Sequence, residues 1–346
     1  MATHLFLAST PFNMLTSAMV ALDLPVGDEA YLGIIDQPET ERTFVTTLYL
    51  WKESPFKQTL LLSLQAKGKG KRKKRQSALN KIAQLIDQIK PDKIYTGNDR
   101  RIEFQFAMHH SRKTNELSMG VYIDDGTYSY LGRKTHWLTD RIVDNLIKKL
   151  SYGSWWQQPS TIGASNWISQ AILAFPESAI EALKTKRCLS LPENLHRDEF
   201  KRLAELCLEL FKYPKSQIQH IDALIMLPHE SVVSVQTKKK LSYWLSNQDA
   251  KISFKHHPRT VLSDTTGDKE LWLIPDRAEQ VPAGIPMEVL LPLIKSSCQI
   301  AGDVSTALLT AKWLRPELKV TAFITDKTSV QWLNLLDLLH IQVETA

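Results

Sequence analysis

With 346 residues, 43% hydrophobic and 23% charged, the chain has the composition of a folded protein and a size that suits two α/β domains better than one. No apolar run reaches the roughly 18–20 residues that cross a bilayer, and the amino terminus lacks the basic opening of a signal peptide. Cys188, Cys207 and Cys298 show no metal-ligand or disulfide spacing, so a reduced, cytoplasmic protein is expected. The net charge of +6 has one local origin. Lys67–Arg75 carries seven positive charges, and the remainder balances 36 basic against 37 acidic residues. Such a block is either a solvated loop or a contact for an anionic partner: membrane headgroups at the inner face, a glycan, or nucleic acid. No nucleic-acid reading element accompanies it, so nucleic acid is the weakest of these partners.

In chain order, short apolar runs alternate with amphipathic segments, the pattern of βα units around parallel sheets. Strands are predicted at His4–Ala8, Ala30–Ile35, Lys93–Thr96 and Met119–Ile123, with helices at Phe12–Leu22, Ser77–Ile89 and Asp99–His110. The residue before Pro91 closes the second of these helices. Thr135–Leu150 also reads as helical, and Trp155, Trp156 and Trp167 fall in an irregular stretch, where they either stack on a sugar ring or pack in the core. Residues 176–213 read as two helices joining the lobes, Glu177–Lys186 and Arg197–Phe211. A second series follows: strand Asp222–Leu227, helix Val235–Ser246, strands Ile252–Lys255 and Glu270–Ile274, and helix Met287–Ile294. It continues with strand Ser297–Ala301, helix Ser305–Trp313, strand Lys319–Ile324, helix Thr328–Leu339 and strand Ile341–Glu344. The expected architecture is α/β with two Rossmann-like domains, 1–175 and 214–346, joined by a helical linker at 176–213. Ligands are expected in a central cleft faced by the C-terminal edges of both parallel sheets.

Four motifs carry chemistry. Tyr122-Ile-Asp-Asp-Gly-Thr127 ends an apolar strand in two carboxylates and a glycine. Neighbouring residues at a strand end point to opposite faces, so one acid is expected to face the cleft and the other to hold the loop. The motif alone is equally that of an ordinary turn. Phe254-Lys-His-His-Pro-Arg259 follows a strand of the second lobe and gathers positive charge suited to a phosphate leaving group. Ala301-Gly-Asp-Val-Ser-Thr306 places Gly302, Ser305 and Thr306 at a helix N-terminus, where anions bind, although Ser305 also suits a plain N-cap. Ile285-Pro-Met-Glu288 puts a carboxylate in a first helical turn, where it can accept from a ribose diol. The sequence contains neither a glycine-rich phosphate loop nor a nucleophile elbow. No cluster has convincing metal-ligand spacing.

Taken in order, Asp124-Asp125-Gly126, His257-Pro258 and Ser305-Thr306 resemble the acidic-acidic-glycine, His-Pro and paired Ser/Thr motifs of the bacterial GT-B sialyltransferases. These include the lipooligosaccharide sialyltransferases and capsular polysialyltransferases. Lys255, Glu288, the opening Ala8-Ser-Thr-Pro-Phe12 and the segment Thr96-Gly-Asn-Asp99 are similar as well. The resemblance implies inverting, metal-independent transfer of a nonulosonic acid from a CMP-sugar to a cell-surface glycan, with no cofactor. It makes Asp124 the base and Asp125 the group that fixes the loop or orients it. His257, Lys255, Ser305 and Thr306, with Gly302 in the turn, hold the departing CMP phosphate, and Glu288 holds the ribose. Thr10, Asn98 and Gly126 line the cleft. Kdo, pseudaminic or legionaminic acid donors keep the same CMP contacts. A UDP- or GDP-sugar GT-B enzyme and a non-catalytic α/β binding protein remain the alternatives.

Overall fold

The computed structural model describes residues 1–39, 42–65, 70–132, 144–228, 235–246, 251–256 and 274–344. His257, Pro258 and Arg259, most of the expected strand Glu270–Ile274, the start of the helix Thr135–Leu150, and Lys67–Lys69 lie outside the described residues. The chain forms two compact units, Met1–Arg42 with Leu48–Asn194, and Thr43–Thr47 with Leu195–Ala346. The expected connector 176–213 is thus divided between the two units.

The first unit is built on seven parallel strands in the order β3-β2-β1-β4-β5-β6-β7. They are β1 (Thr3–Ala8), β2 (Glu29–Ile34), β3 (Gln58–Leu61), β4 (Lys93–Thr96), β5 (Met119–Ile123), β6 (Ile168–Leu173) and β7 (Arg187–Ser190). Central strands such as β1 are apolar on both faces because helices cover both, and Leu5, Phe6 and Leu7 are fully buried. The helices are α1 (Pro11–Leu22), α2 (Thr43–Leu50), whose first turn groups with the second unit, α3 (Lys71–Ile89) and α4 (Ile102–Thr114). After them come α5 (Tyr128–Leu131), α6 (Asp144–Tyr152) and α7 (Glu181–Lys184). Thr10 caps α1 by accepting from Asn13 N–H, with Pro11 in the first helical position. Helix α3 stops at Ile89, where Lys90 turns left-handed ahead of Pro91.

Several elements depart from the sequence expectation. Helix α4 begins at Ile102 rather than Asp99, because the Asp99 carboxylate accepts from Gly163 and Ser165 N–H (2.8 and 2.7 Å) instead of capping the helix. The helix expected at Glu177–Lys186 shrinks to a 3-10 turn at Pro176–Ser178 and the four residues of α7. The chain then becomes edge strand β7, whose Arg-Cys-Leu-Ser sequence and mostly exposed side chains give no strand signal. Trp156 is fully buried, with the Lys148 ammonium 4.6 Å from its ring centroid, and Trp155 stacks on His109. Both tryptophans are therefore packing residues. Lys71–Arg75 form the start of α3, where Arg75 donates to the Tyr152 hydroxyl at 2.7 Å and Lys74 pairs with Glu39. No helix among the described residues is long and apolar enough to cross a membrane.

The second unit has six parallel strands in the order β10-β9-β8-β11-β12-β13. They are β8 (Ala223–Met226), β9 (Ile252–Lys255), β10 (Glu279–Val281), β11 (Gln299–Asp303), β12 (Lys319–Phe323) and β13 (Gln342–Glu344). Its helices are α8 (Asp198–Leu210), α9 (Lys215–Gln219), α10 (Val235–Ser246), α11 (Met287–Leu290), α12 (Thr306–Leu314) and α13 (Val330–Leu338). The two sheets share one winding. Each starts at an inner strand (β1, β8), runs outward over two more, then crosses back to the other side (β4, β11). Both therefore reverse next to their first strand, and the loops after the carboxyl ends of β1 and β4, or of β8 and β11, border a crevice. Gly302 lies inside β11, paired with Met226 and Ala322, and a Cβ on it would sit 2.5 Å from the Met226 carbonyl oxygen. Gly302→Ala is therefore expected to cost about 1–3 kcal/mol, read as a lower urea midpoint. An unchanged midpoint would show that β8 and β11 can separate.

Candidate functional site

At the end of β5 the two aspartates have different environments. Asp124 is 1% exposed. Its N–H extends the ladder by donating to the Ile172 carbonyl (2.9 Å). One carboxylate oxygen accepts from Gly126 N–H and the Ser129 hydroxyl, both at 2.8 Å. The other accepts from Ala174 N–H (3.0 Å) and from the Tyr130 hydroxyl. Burial pushes its pKa up, but all four partners are donors, so the arrangement suits the ionised carboxylate. Gly126, at φ 86°, makes the turn that brings the start of α5 back onto this carboxylate.

Asp125 is partly exposed. Among the described residues its carboxylate accepts one hydrogen bond, from Asn13 Nδ2 at 2.9 Å. Burial pushes its carboxyl up to about 7. The Asn13 hydrogen bond opposes that rise, the Asp124 charge adds to it, and the Arg101 charge opposes it. Arg101, at the entrance to α4, is itself paired with Asp36 beyond β2. The two carboxylates therefore differ in how far they are engaged. Asp124 is the loop fastener, because its lone pairs are engaged, and Asp125 is the carboxylate with free acceptor capacity and a titration near neutrality.

The other first-domain candidates build the frame. Thr10 caps α1. Asn98 accepts from Arg100 N–H at 3.0 Å, which shapes the β4–α4 loop. Sequence reasoning missed Asn13, although the Thr10-Pro11 cap fixes its position in the first turn of α1.

In the second unit, Lys255 ends β9 at 2% exposure and its ammonium donates to the Ala283 carbonyl at 2.7 Å. Burial brings it down to about 8, with the charges of Glu288 and Cys207 pushing back. Lys255 therefore braces the segment leading into α11. Glu288, in the first turn of α11, is pushed up by burial and drawn down by its own backbone N–H and by Lys255. His256 is buried against Phe254, with ring centroids 5.4 Å apart. Ser305 and Thr306 open the nine-residue α12 at the same sheet edge, partly exposed, and the Ser305 side chain makes no capping hydrogen bond. Gly302, expected in the turn, is instead a strand residue held by β8, and the turn falls on Val304, whose N–H donates to Asp303. Among the described residues, no three His, Cys, Asp or Glu side chains gather as metal ligands do.

The two aspartates should behave oppositely on substitution. Asp124→Ala strands four donors and is expected to cost about 3 kcal/mol or more, measurable by urea unfolding. The raised Asp125 pKa means that its proton stabilises the fold fully below the ordinary aspartate range, and that this contribution is lost as pH rises through about 7. Asp125→Asn should accordingly melt with the parent below pH 4 and above it at pH 8. A melting temperature lowered at pH 8 would assign Asp125 a structural role instead.

No protein-family model and no curated protein sequence matches the chain. Solved structures do. The α/β-galactoside α-2,3-sialyltransferase of the luminous marine bacterium Photobacterium phosphoreum aligns with a TM-score of 0.60 at 10% identity, over 99% of this chain and 98% of that one. The sialyltransferase of Photobacterium damsela aligns at 0.53 and 12% identity, over 100% and 82%. The UDP-GlcNAc 2-epimerase of Neisseria meningitidis, bound to UDP-GlcNAc, aligns at 0.57 and 10% identity, over 99% and 87%. At such identities the likeness is one of fold, and the fold is that of the GT-B proteins: two Rossmann-like α/β domains on parallel sheets.

Proposed function

We propose that the chain is an inverting glycosyltransferase that moves a nonulosonic acid, sialic acid in the first instance, from a CMP-sugar to a cell-surface glycan. Asp125 serves as general base. The observation that carries the reading is Asp125 itself: partly exposed at the carboxyl end of β5, with one hydrogen bond among the described residues and a carboxyl pushed up to about 7. A base that titrates near working pH combines availability with proton affinity. The acceptor hydroxyl attacks the anomeric carbon and passes its proton to Asp125. The bond to CMP breaks on the opposite face, and its electron pair goes to the phosphate oxygen. The Ser305 and Thr306 hydroxyls at the N-terminus of α12, together with His257, are assigned to the growing charge on that phosphate. Glu288, braced through Lys255, is assigned to the ribose. Ser305 supports this assignment because it makes no side-chain bond to the helix it precedes.

A second reading has its own support: the fold is also shared with an epimerase structure bound to UDP-GlcNAc. Nucleotides separate the two. In a thermal-shift series, CMP and CDP are expected to stabilise the protein and UDP to leave it unchanged, whereas stabilisation by UDP alone would move the assignment to UDP-sugars.

Transfer itself should rise with pH through an inflection near 7. In Asp125→Asn it should fall by several orders of magnitude while CMP still binds. Retained transfer in that variant would remove Asp125 from the base role. Ser305→Ala combined with Thr306→Ala should weaken CMP binding at least tenfold, the loss of about 1.4 kcal/mol.

A further inference from the structure

Asn13 sits in the first turn of α1 at 2% exposure, and its Nδ2 donates to Asp125 across 112 positions of sequence. Its other amide atom, Oδ1, is buried and has no hydrogen-bond partner among the described residues. A buried acceptor without a donor costs about 1–3 kcal/mol, so Asn13 is a poor choice on stability grounds alone. Room for it comes from Gly97, the residue after β4, where a Cβ would fall 2.2–2.4 Å from the Asn13 amide. Three separate segments, after β1, β4 and β5, therefore converge on one hydrogen bond. Among the described residues, the charged groups facing Asp125 are Asp124 from its own strand end and Arg101 from the start of α4, whose guanidinium is shared with Asp36, and the neutral Tyr122 phenol also lies beside it. Asn13 adds an uncharged donor to them.

We infer that Asn13 is the positioning residue of Asp125, held at a cost in stability so that its amide N–H favours the ionised carboxylate and fixes its direction, with Gly97 as the gap that admits it. The amide orientation follows from the chemistry: an ionised carboxylate only accepts, so Nδ2 must face it and Oδ1 is left to the interior. The inference rests on the base role proposed for Asp125 only where activity is the readout.

The test follows the Asp125 ionisation in the full-length protein, by the pH dependence of the melting-temperature difference from Asp125→Asn. In Asn13→Ala the inflection should move up by about one pH unit, while the melting temperature at pH 5 stays at or above that of the parent. Asn13→Asp keeps the shape but presents a like charge, so it should move the inflection up further. Gly97→Ala, which displaces the amide, should move it in the same direction. An inflection unmoved in Asn13→Ala and Asn13→Asp overturns the inference. So does a melting temperature at pH 5 that falls in Asn13→Ala with no movement of the inflection, the mark of a merely structural residue. Transfer kinetics form a second arm: kcat/KM of Asn13→Ala should drop about fivefold at pH 7 and return to the parent value near pH 9, as one unit of pKa requires. A moved inflection in a protein that transfers no sugar would sink the transferase reading and leave Asn13 as the partner of Asp125.

Discussion

The first domain's site depends on one buried carboxylate with four donors. Asp124 ties β5 to the segment after β6 through Ala174, closes the Gly126 turn, and pins α5 by Ser129 and Tyr130. A carboxyl group at 1% exposure is tolerated because each of its oxygens accepts two hydrogen bonds. With Asp124 so held, the next residue along the chain is turned the other way, as alternation at a strand end demands. Asp125 thus owes its direction to its neighbour, while its raised pKa comes first from burial, with the Asp124 charge adding to it.

Close backbone approach is the second constraint. Gly97 lets an amide pass from α1 to the end of β5, and Gly302 lets β11 lie against the Met226 carbonyl. Both glycines flank a crossover where the chain returns to the far side of its first strand, β1 in one sheet and β8 in the other. Near these crossovers lie Asn13 and Arg101 in the first domain and Ser305 and Thr306 in the second.

Burial divides roles in the second domain as well. Lys255 reads in sequence as a free cation for phosphate. Folded, it is a buried brace on Ala283, lowered to about 8, that sets the approach to Glu288. Ser305 and Thr306 keep their exposure because α12 begins at the sheet edge rather than under another element.

Much of the fold was legible in the residues. Runs such as His4–Ala8 and Lys319–Phe323 bury on both faces and announce parallel strands, and the Thr10-Pro11 cap and Pro91 mark helix ends. Edge strands β3, β7 and β10 were not legible, because a strand that buries little needs little apolar pattern. The sequence by itself determined that two adjacent acids end β5. Only the tertiary structure decided which of them is wrapped in four donors and which accepts a single hydrogen bond among the described residues. The partners that settle it, Ala174 for Asp124 and Asn13 for Asp125, lie 50 and 112 residues away, beyond the reach of any local pattern.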